Sequence, residues 1–198
     1  MSDTPHIAFV GDSLGLGLGD PTTLGWVGRL AMLSARNGKP FVPYLLGVSG
    51  DTSTIIREHF ANEVERRLLQ HIDSRVVLQM GVEDCRILDE KPVLGLRDSI
   101  LNLKTMLEVA KPHFKVLLVS PPPVYEPGHN SRVLRLVQGQ AELARSLHIP
   151  FIDVFKPLNT DVQYKRELAA HDKVHPMQQG YEKIFSIVSN DRQWWFNR

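Results

Sequence analysis

Four short segments of this chain combine residue types that can carry nucleophilic chemistry. Gly11-Asp12-Ser13-Leu14 follows the apolar run Ile7–Val10, so Ser13 is expected where a strand ends and a helix begins. A serine there is a nucleophile if a base reaches its hydroxyl, and it is equally a residue that helix starts prefer as a cap. Ser49-Gly50-Asp51-Thr52 follows a second apolar run, Phe41–Leu46. It reads as a turn and a helix cap, and its glycine also lets a backbone N–H come close enough to serve an oxyanion. Gly81-Val82-Glu83-Asp84 follows a third run, Val76–Met80. Asp172-Lys173-Val174-His175-Pro176 sets an aspartate three residues before a histidine in one loop. That carboxylate can hold one imidazole nitrogen and leave the other facing a site, as a general base requires.

Other chemistries fit the spacing less well. Gly11–Gly15 matches the G-x-S-x-G elbow of α/β-hydrolases, but that elbow follows several strands and here one run precedes the serine. Gly15, Gly17 and Gly19 fail the dinucleotide fingerprint, because positions 20 and 22 hold Asp20 and Thr22. No G-x-x-x-x-G-K-[ST] loop occurs. His171 and His175 have the i, i+4 spacing of zinc ligands, yet no H-E-x-x-H motif and no third ligand accompany them, and Pro176 marks a loop. Neither a metal nor a cofactor is expected.

These segments need strand ends to position them. Ile7–Val10, Phe41–Leu46, Val76–Met80, Val116–Val119 and Phe151–Val154 are short and mostly lack polar alternation, as strands buried on both faces do. Helical stripes fall between them: Trp26/Val27/Leu30/Leu33, Ile56/Phe60/Val64/Leu68, Ile100/Leu103/Leu107/Ala110, Val133/Val137/Ala144/Leu147 and Tyr181/Ile184/Phe185/Val188. Alternating strands and helices predict an α/β fold with a parallel sheet and right-handed crossovers, hence helices on both faces. Pro43 cannot donate to a ladder, so the second strand is expected at an edge. The flavodoxin-like order 2-1-3-4-5 satisfies that condition. Irregular stretches are expected at Gly15–Leu24, Glu83–Leu94, Pro121–Ser131 and Lys156–His175; the first three begin at the carboxyl edge of the sheet, where ligands bind in such folds.

Composition narrows the class. The 198 residues, 42% hydrophobic and 23% charged, suit one domain over 1–198. Lys+Arg 23 against Asp+Glu 22 gives no electrostatic case for nucleic acid or an anionic membrane surface. The single cysteine, Cys85, excludes an intramolecular disulfide and favours a reducing compartment. No run approaches 18 apolar residues, and the N-terminus shows no basic and apolar leader pattern. A cytoplasmic protein without stable membrane insertion is expected. Trp194-Trp195-Phe196 is expected to pack the last helix, the rival being an exposed patch for self-association.

Taken in order, the four segments resemble the blocks of the SGNH (GDSL-type) lipase/esterase family, over Ile7 to about Gly180. Gly-Asp-Ser-Leu falls at 11–14, the glycine block at 49–52, the G-x-N-D block at 81–84 and the D-x-x-H block at 172–175. The resemblance implies a three-layer α/β/α sandwich and hydrolysis of carboxylic esters, small or medium acyl esters with thioesters and acetylated sugars among the class. It implies Ser13 as nucleophile, His175 as general base, Asp172 as its orienting acid, and the N–H groups of Ser13 and Gly50 as oxyanion donors. It implies a small-molecule ester as partner and no cofactor. Asp12 and Leu14 beside the serine, and Tyr125 after Pro121-Pro122-Pro123, are expected to wall the substrate pocket.

One position departs from the pattern. Glu83 stands where the family has an asparagine whose amide donates to the oxyanion. An ionised carboxylate has no donor and would oppose that charge. Three arrangements follow: Glu83 turns away and the backbone N–H groups suffice; it stays protonated in a dry site and donates; or the protein is attenuated, or a non-catalytic binder on a hydrolase scaffold. Retention of Ser13, Asp172 and His175 favours the first two.

Overall fold

Successive residues of the first strand point to opposite sides of a sheet, and each side finds its own core. In the computed structural model, which describes residues 4–69 and 72–197, β1 (His6–Gly11) turns Ile7 and Phe9 one way and Ala8 and Val10 the other. Met1-Ser2-Asp3, where the reading of the N-terminus begins, lies outside the described residues. Ile7 and Phe9 join Val77, Leu117 and Ile152 beneath Trp26, Leu30, Tyr164, Tyr181 and Ile184. Ala8 and Val10 join Val76, Leu78 and Leu118 beneath Ile56, Phe60, Leu103, Leu107 and Ala144.

The sheet is formed by β1, β2 (Val42–Gly47), β3 (Ser74–Gln79), β6 (Lys115–Val119) and β7 (Phe151–Ile152), all parallel, in the order β2-β1-β3-β6-β7. Counted as five strands this is 2-1-3-4-5, as expected. Helices α2 (Gly25–Arg36), α7 (Val162–Ala170) and α8 (Gln178–Asn190) cover one face. Helices α3 (Ser53–Glu65), α4 (Leu96–Ala110) and α5 (Pro127–Ser146) cover the other, giving three layers. β2 is the edge strand and Pro43, opposite Ile7, is exposed. No described helix is long and apolar enough to cross a membrane.

Two stretches read as irregular contain structure. Glu83–Leu94 holds a 3-10 turn at Glu83–Cys85 and a minimal antiparallel pair, β4 (Ile87–Leu88) with β5 (Lys91–Pro92). Lys156–His175 holds the end of α6 (Phe155–Leu158) and all of α7. α7 buries only Tyr164 and Leu168, too thin a stripe to show as a period, and its start is set by Asp161 accepting the Tyr164 N–H at 2.8 Å. At the C-terminus, Trp194 is buried against Phe9 and Phe41, and Arg75 lies over the rings of Trp195 and Phe196. The aromatic run is packing.

Candidate active site

Gly11 ends β1 so close to β3 that a Cβ there would lie 2.0 Å from the Gln79 carbonyl oxygen. The chain then turns into a single helical turn, α1 (Ser13–Leu16). Asp12 caps it: its backbone is extended and Oδ1 accepts the Leu14 N–H at 3.1 Å. The capping duty is therefore taken by Asp12, and the Ser13 hydroxyl is left for another partner. That partner is His175, whose Nε2 lies 2.6 Å from Ser13 Oγ.

The loop after α7 holds His175 from its far side. His175 Nδ1 lies 2.6 Å from Asp172 Oδ2, while Asp172 Oδ1 accepts the N–H groups of His175 at 2.8 Å and Val174 at 3.0 Å. Burial pushes the Asp172 carboxyl up, but hydrogen bonds from the His175 backbone and ring and from Val174 outweigh it, leaving it at about 2. An ionised carboxylate only accepts, which assigns the ring proton to Nδ1 and leaves Nε2 to accept from Ser13. Ser13 and His175 are each 8% exposed. A hydroxyl hydrogen-bonded to an imidazole that is itself anchored on a carboxylate can be deprotonated as it attacks a carbonyl.

The second and third segments meet beside this arrangement. Gly50 has φ +86, the left-handed region that glycine enters without strain, and lies exposed between β2 and α3. Its loop is held by Asp84, fully buried, whose Oδ1 accepts the Ser53 N–H at 2.8 Å. Asn102 donates to Ser53 Oγ and Thr54 Oγ1, both at 3.0 Å. Ser13 occupies the first position of α1, whose N–H has no intrahelical acceptor.

Glu83 adopts the turned-away arrangement: its Oε1 accepts from Arg86 Nε at 2.5 Å in a pair open to solvent. Asp12 and Leu14, expected to wall the pocket, are 3% and 1% exposed and face inward. Leu14 packs with Val82, Val124 and Val174, which come from the segments after β3 and β6 and before α8. Asp12 Oδ2 has no hydrogen-bond partner. Burial, with lesser pushes from the Asp84 and Glu83 charges, outweighs the bond from Leu14 N–H and the weaker pull of the Gly81 N–H, and raises the Asp12 carboxyl to about 7. Tyr125 is 46% exposed, and its N–H donates to the Lys173 carbonyl at 2.9 Å, so it ties the proline loop to the Asp172–His175 loop.

Two further histidines lie at the site: His129 had no sequence signal, and His171 was read only for its spacing to His175. Buried His129 donates from Nε2 to the Val82 carbonyl at 2.8 Å, and burial lowers its basicity. His171 stands beside Asp172, with Nδ1 3.3 Å from Oδ1. Among the described residues, no group of three or more His, Cys, Asp or Glu could hold a metal ion.

Comparison with solved structures gives the same fold. A lipase/acylhydrolase from Enterococcus faecalis matches at 24% identity over 93% of each chain, with a TM-score of 0.77. An acetylxylan esterase from Geobacillus stearothermophilus matches at 20% identity over 92% of this chain and 91% of that one, with a TM-score of 0.72. A psychrotrophic esterase from Pseudoalteromonas matches at 17% identity over 98% and 99%, also with a TM-score of 0.72. Among curated proteins none matches. The model of the GDSL-like lipase/acylhydrolase family matches residues 9–183, from inside β1 to inside α8, and so takes in all four segments described above. By that match the chain belongs to the GDSL-like lipase/acylhydrolase family and is an ester-hydrolysing enzyme.

Proposed function

We propose that Ser13, His175 and Asp172 are the catalytic triad of an acyl hydrolase acting on esters of small to medium acyl groups. The observation that carries this reading is the continuous chain of two 2.6 Å contacts from Ser13 Oγ through His175 to Asp172. His175 Nε2 takes the Ser13 proton as Oγ attacks the ester carbonyl, and Asp172 stabilises the imidazolium that forms. The N–H groups of Ser13 and Gly50 receive the oxyanion. His175 then protonates the leaving alcohol, and water repeats the sequence on the acyl-enzyme. The acetylxylan esterase match makes acetylated carbohydrates one member of the substrate class to test.

The test is hydrolysis of p-nitrophenyl acetate and butyrate by wild type beside Ser13→Ala. Turnover that disappears in the variant is the expected result, together with labelling of Ser13 by a fluorophosphonate. An unchanged rate in Ser13→Ala refutes the assignment.

A further inference from the structure

We infer that His171 is a second imidazole on Asp172 and acts as a positioning residue that sets how much of the carboxylate charge His175 receives. The inference rests on the triad reading. Asp172 divides its two oxygens: Oδ2 faces His175 Nδ1 at 2.6 Å, and Oδ1 has His171 Nδ1 3.3 Å away besides the two backbone N–H groups it accepts. His171 is held where it can matter. It is the C-cap of α7, its N–H donating to the Glu167 carbonyl at 3.1 Å. Its ring lies against the loop that follows the nucleophile turn, where a methyl group on Gly19 would come within 3.1 Å of Cε1.

The other ionisable groups of the segments meeting here are engaged elsewhere. On α7, the Glu167 carboxylate accepts the N–H groups of Met177, Gln179 and Gly180. In the α1–α2 loop, Asp20 is bound by Arg29 and Thr22. On α8, the Tyr181 hydroxyl donates to the Leu18 carbonyl at 2.7 Å. Lys173 is the exposed neighbour in the chain, and His175 is committed to Ser13. Asp172 is thus the charge that His171 meets.

A histidine changes charge in the neutral range, and two like charges sharing one carboxylate disfavour each other. With a proton on His171, Asp172 supports the His175 imidazolium less well. Acyl transfer then slows.

The experiment compares pH profiles of kcat and KM for wild type, His171→Gln and His171→Lys, with Ser13→Ala as control. Wild type is expected to descend on the acid side in two steps, and His171→Gln in one. His171→Lys carries its charge at every assay pH, so its plateau kcat should fall severalfold, with KM unchanged. Its acid limb should move to lower pH, a shift that loosened packing alone does not produce. Profiles of His171→Gln and wild type that superimpose overturn the inference while leaving the triad intact. Turnover that persists in Ser13→Ala overturns the triad reading and this inference with it.

Discussion

Replacing Asp12 by asparagine should remove most of the protein's loss of stability between mildly acid and mildly alkaline pH. Asp12 is 3% exposed, Oδ2 has no partner, and its carboxyl is raised from 3.8 to about 7, first by burial. A carboxyl raised in the folded state binds its proton more tightly there than in the unfolded chain. Its contribution to stability is therefore complete below the unfolded value, falls as pH climbs, and is gone above about 7. The full shift of roughly 3 units corresponds to about 4 kcal/mol, and about 2 of those units lie between about pH 5 and pH 8, or about 3 kcal/mol. For a chain of 198 residues that amounts to about 6–12 °C in Tm. Asparagine keeps an oxygen for the Leu14 N–H and cannot ionise. Asp172, whose carboxyl is lowered, loses stability only as pH falls toward about 2, outside this window. Thermal unfolding of both proteins at both pH values isolates the Asp12 share, because histidines common to the two cancel. A variant whose Tm falls between the two pH values as far as that of wild type refutes the reasoning.

Two further substitutions probe the site directly. Glu83→Asn should raise kcat, by up to ~10²–10³ if the amide reaches the oxyanion as a single donor does in other hydrolases, and steady-state kinetics showing no gain would mean that position 83 does not face the reacting carbonyl. Asp172→Asn still offers an oxygen to the Val174 and His175 N–H groups but presents NH₂ to His175 Nδ1, forcing the ring proton onto Nε2; kcat should fall by about 10⁴ with KM little changed, and a loss below tenfold would remove Asp172 from the mechanism.

The interior of the sheet was legible because β1, β3 and β6 are buried on both faces and announce themselves as apolar runs. Pro43 alone placed β2 at the edge, since a ring nitrogen cannot donate in a central ladder. The helices with broad apolar stripes were legible for the same reason, and α7, with two buried residues, was not. Asp172 and His175 were legible as a pair within one loop and Ser13 as a serine at a strand end, but their convergence was not: Ser13 and His175 are 162 positions apart and meet because β1 is interior and its loop faces the loop before α8. Asp12 and Leu14 were misplaced because a residue beside a nucleophile invites a pocket reading. Periodicity says nothing about a four-residue helical turn, in which Asp12 turns back to cap Leu14 and Leu14 packs among valines of the neighbouring loops.

The exchange of asparagine for Glu83 is local, and the rest of its segment shows why. Gly81–Asp84 has duties besides donating to an oxyanion. Val82 packs on Leu14 directly behind the nucleophile turn, and its carbonyl is fixed by His129. Asp84 holds the Ser53 N–H and with it the loop carrying Gly50. None of these contacts passes through the side chain at 83, whose carboxylate leaves the apolar cluster for Arg86 at the surface. On the proposed mechanism, glutamate at 83 therefore removes one oxyanion donor without disturbing the frame that holds the loops of Ser13 and Gly50. Had the frame depended on position 83, restoring asparagine could not recover activity; because it depends on Val82 and Asp84, the single change Glu83→Asn is expected to be sufficient.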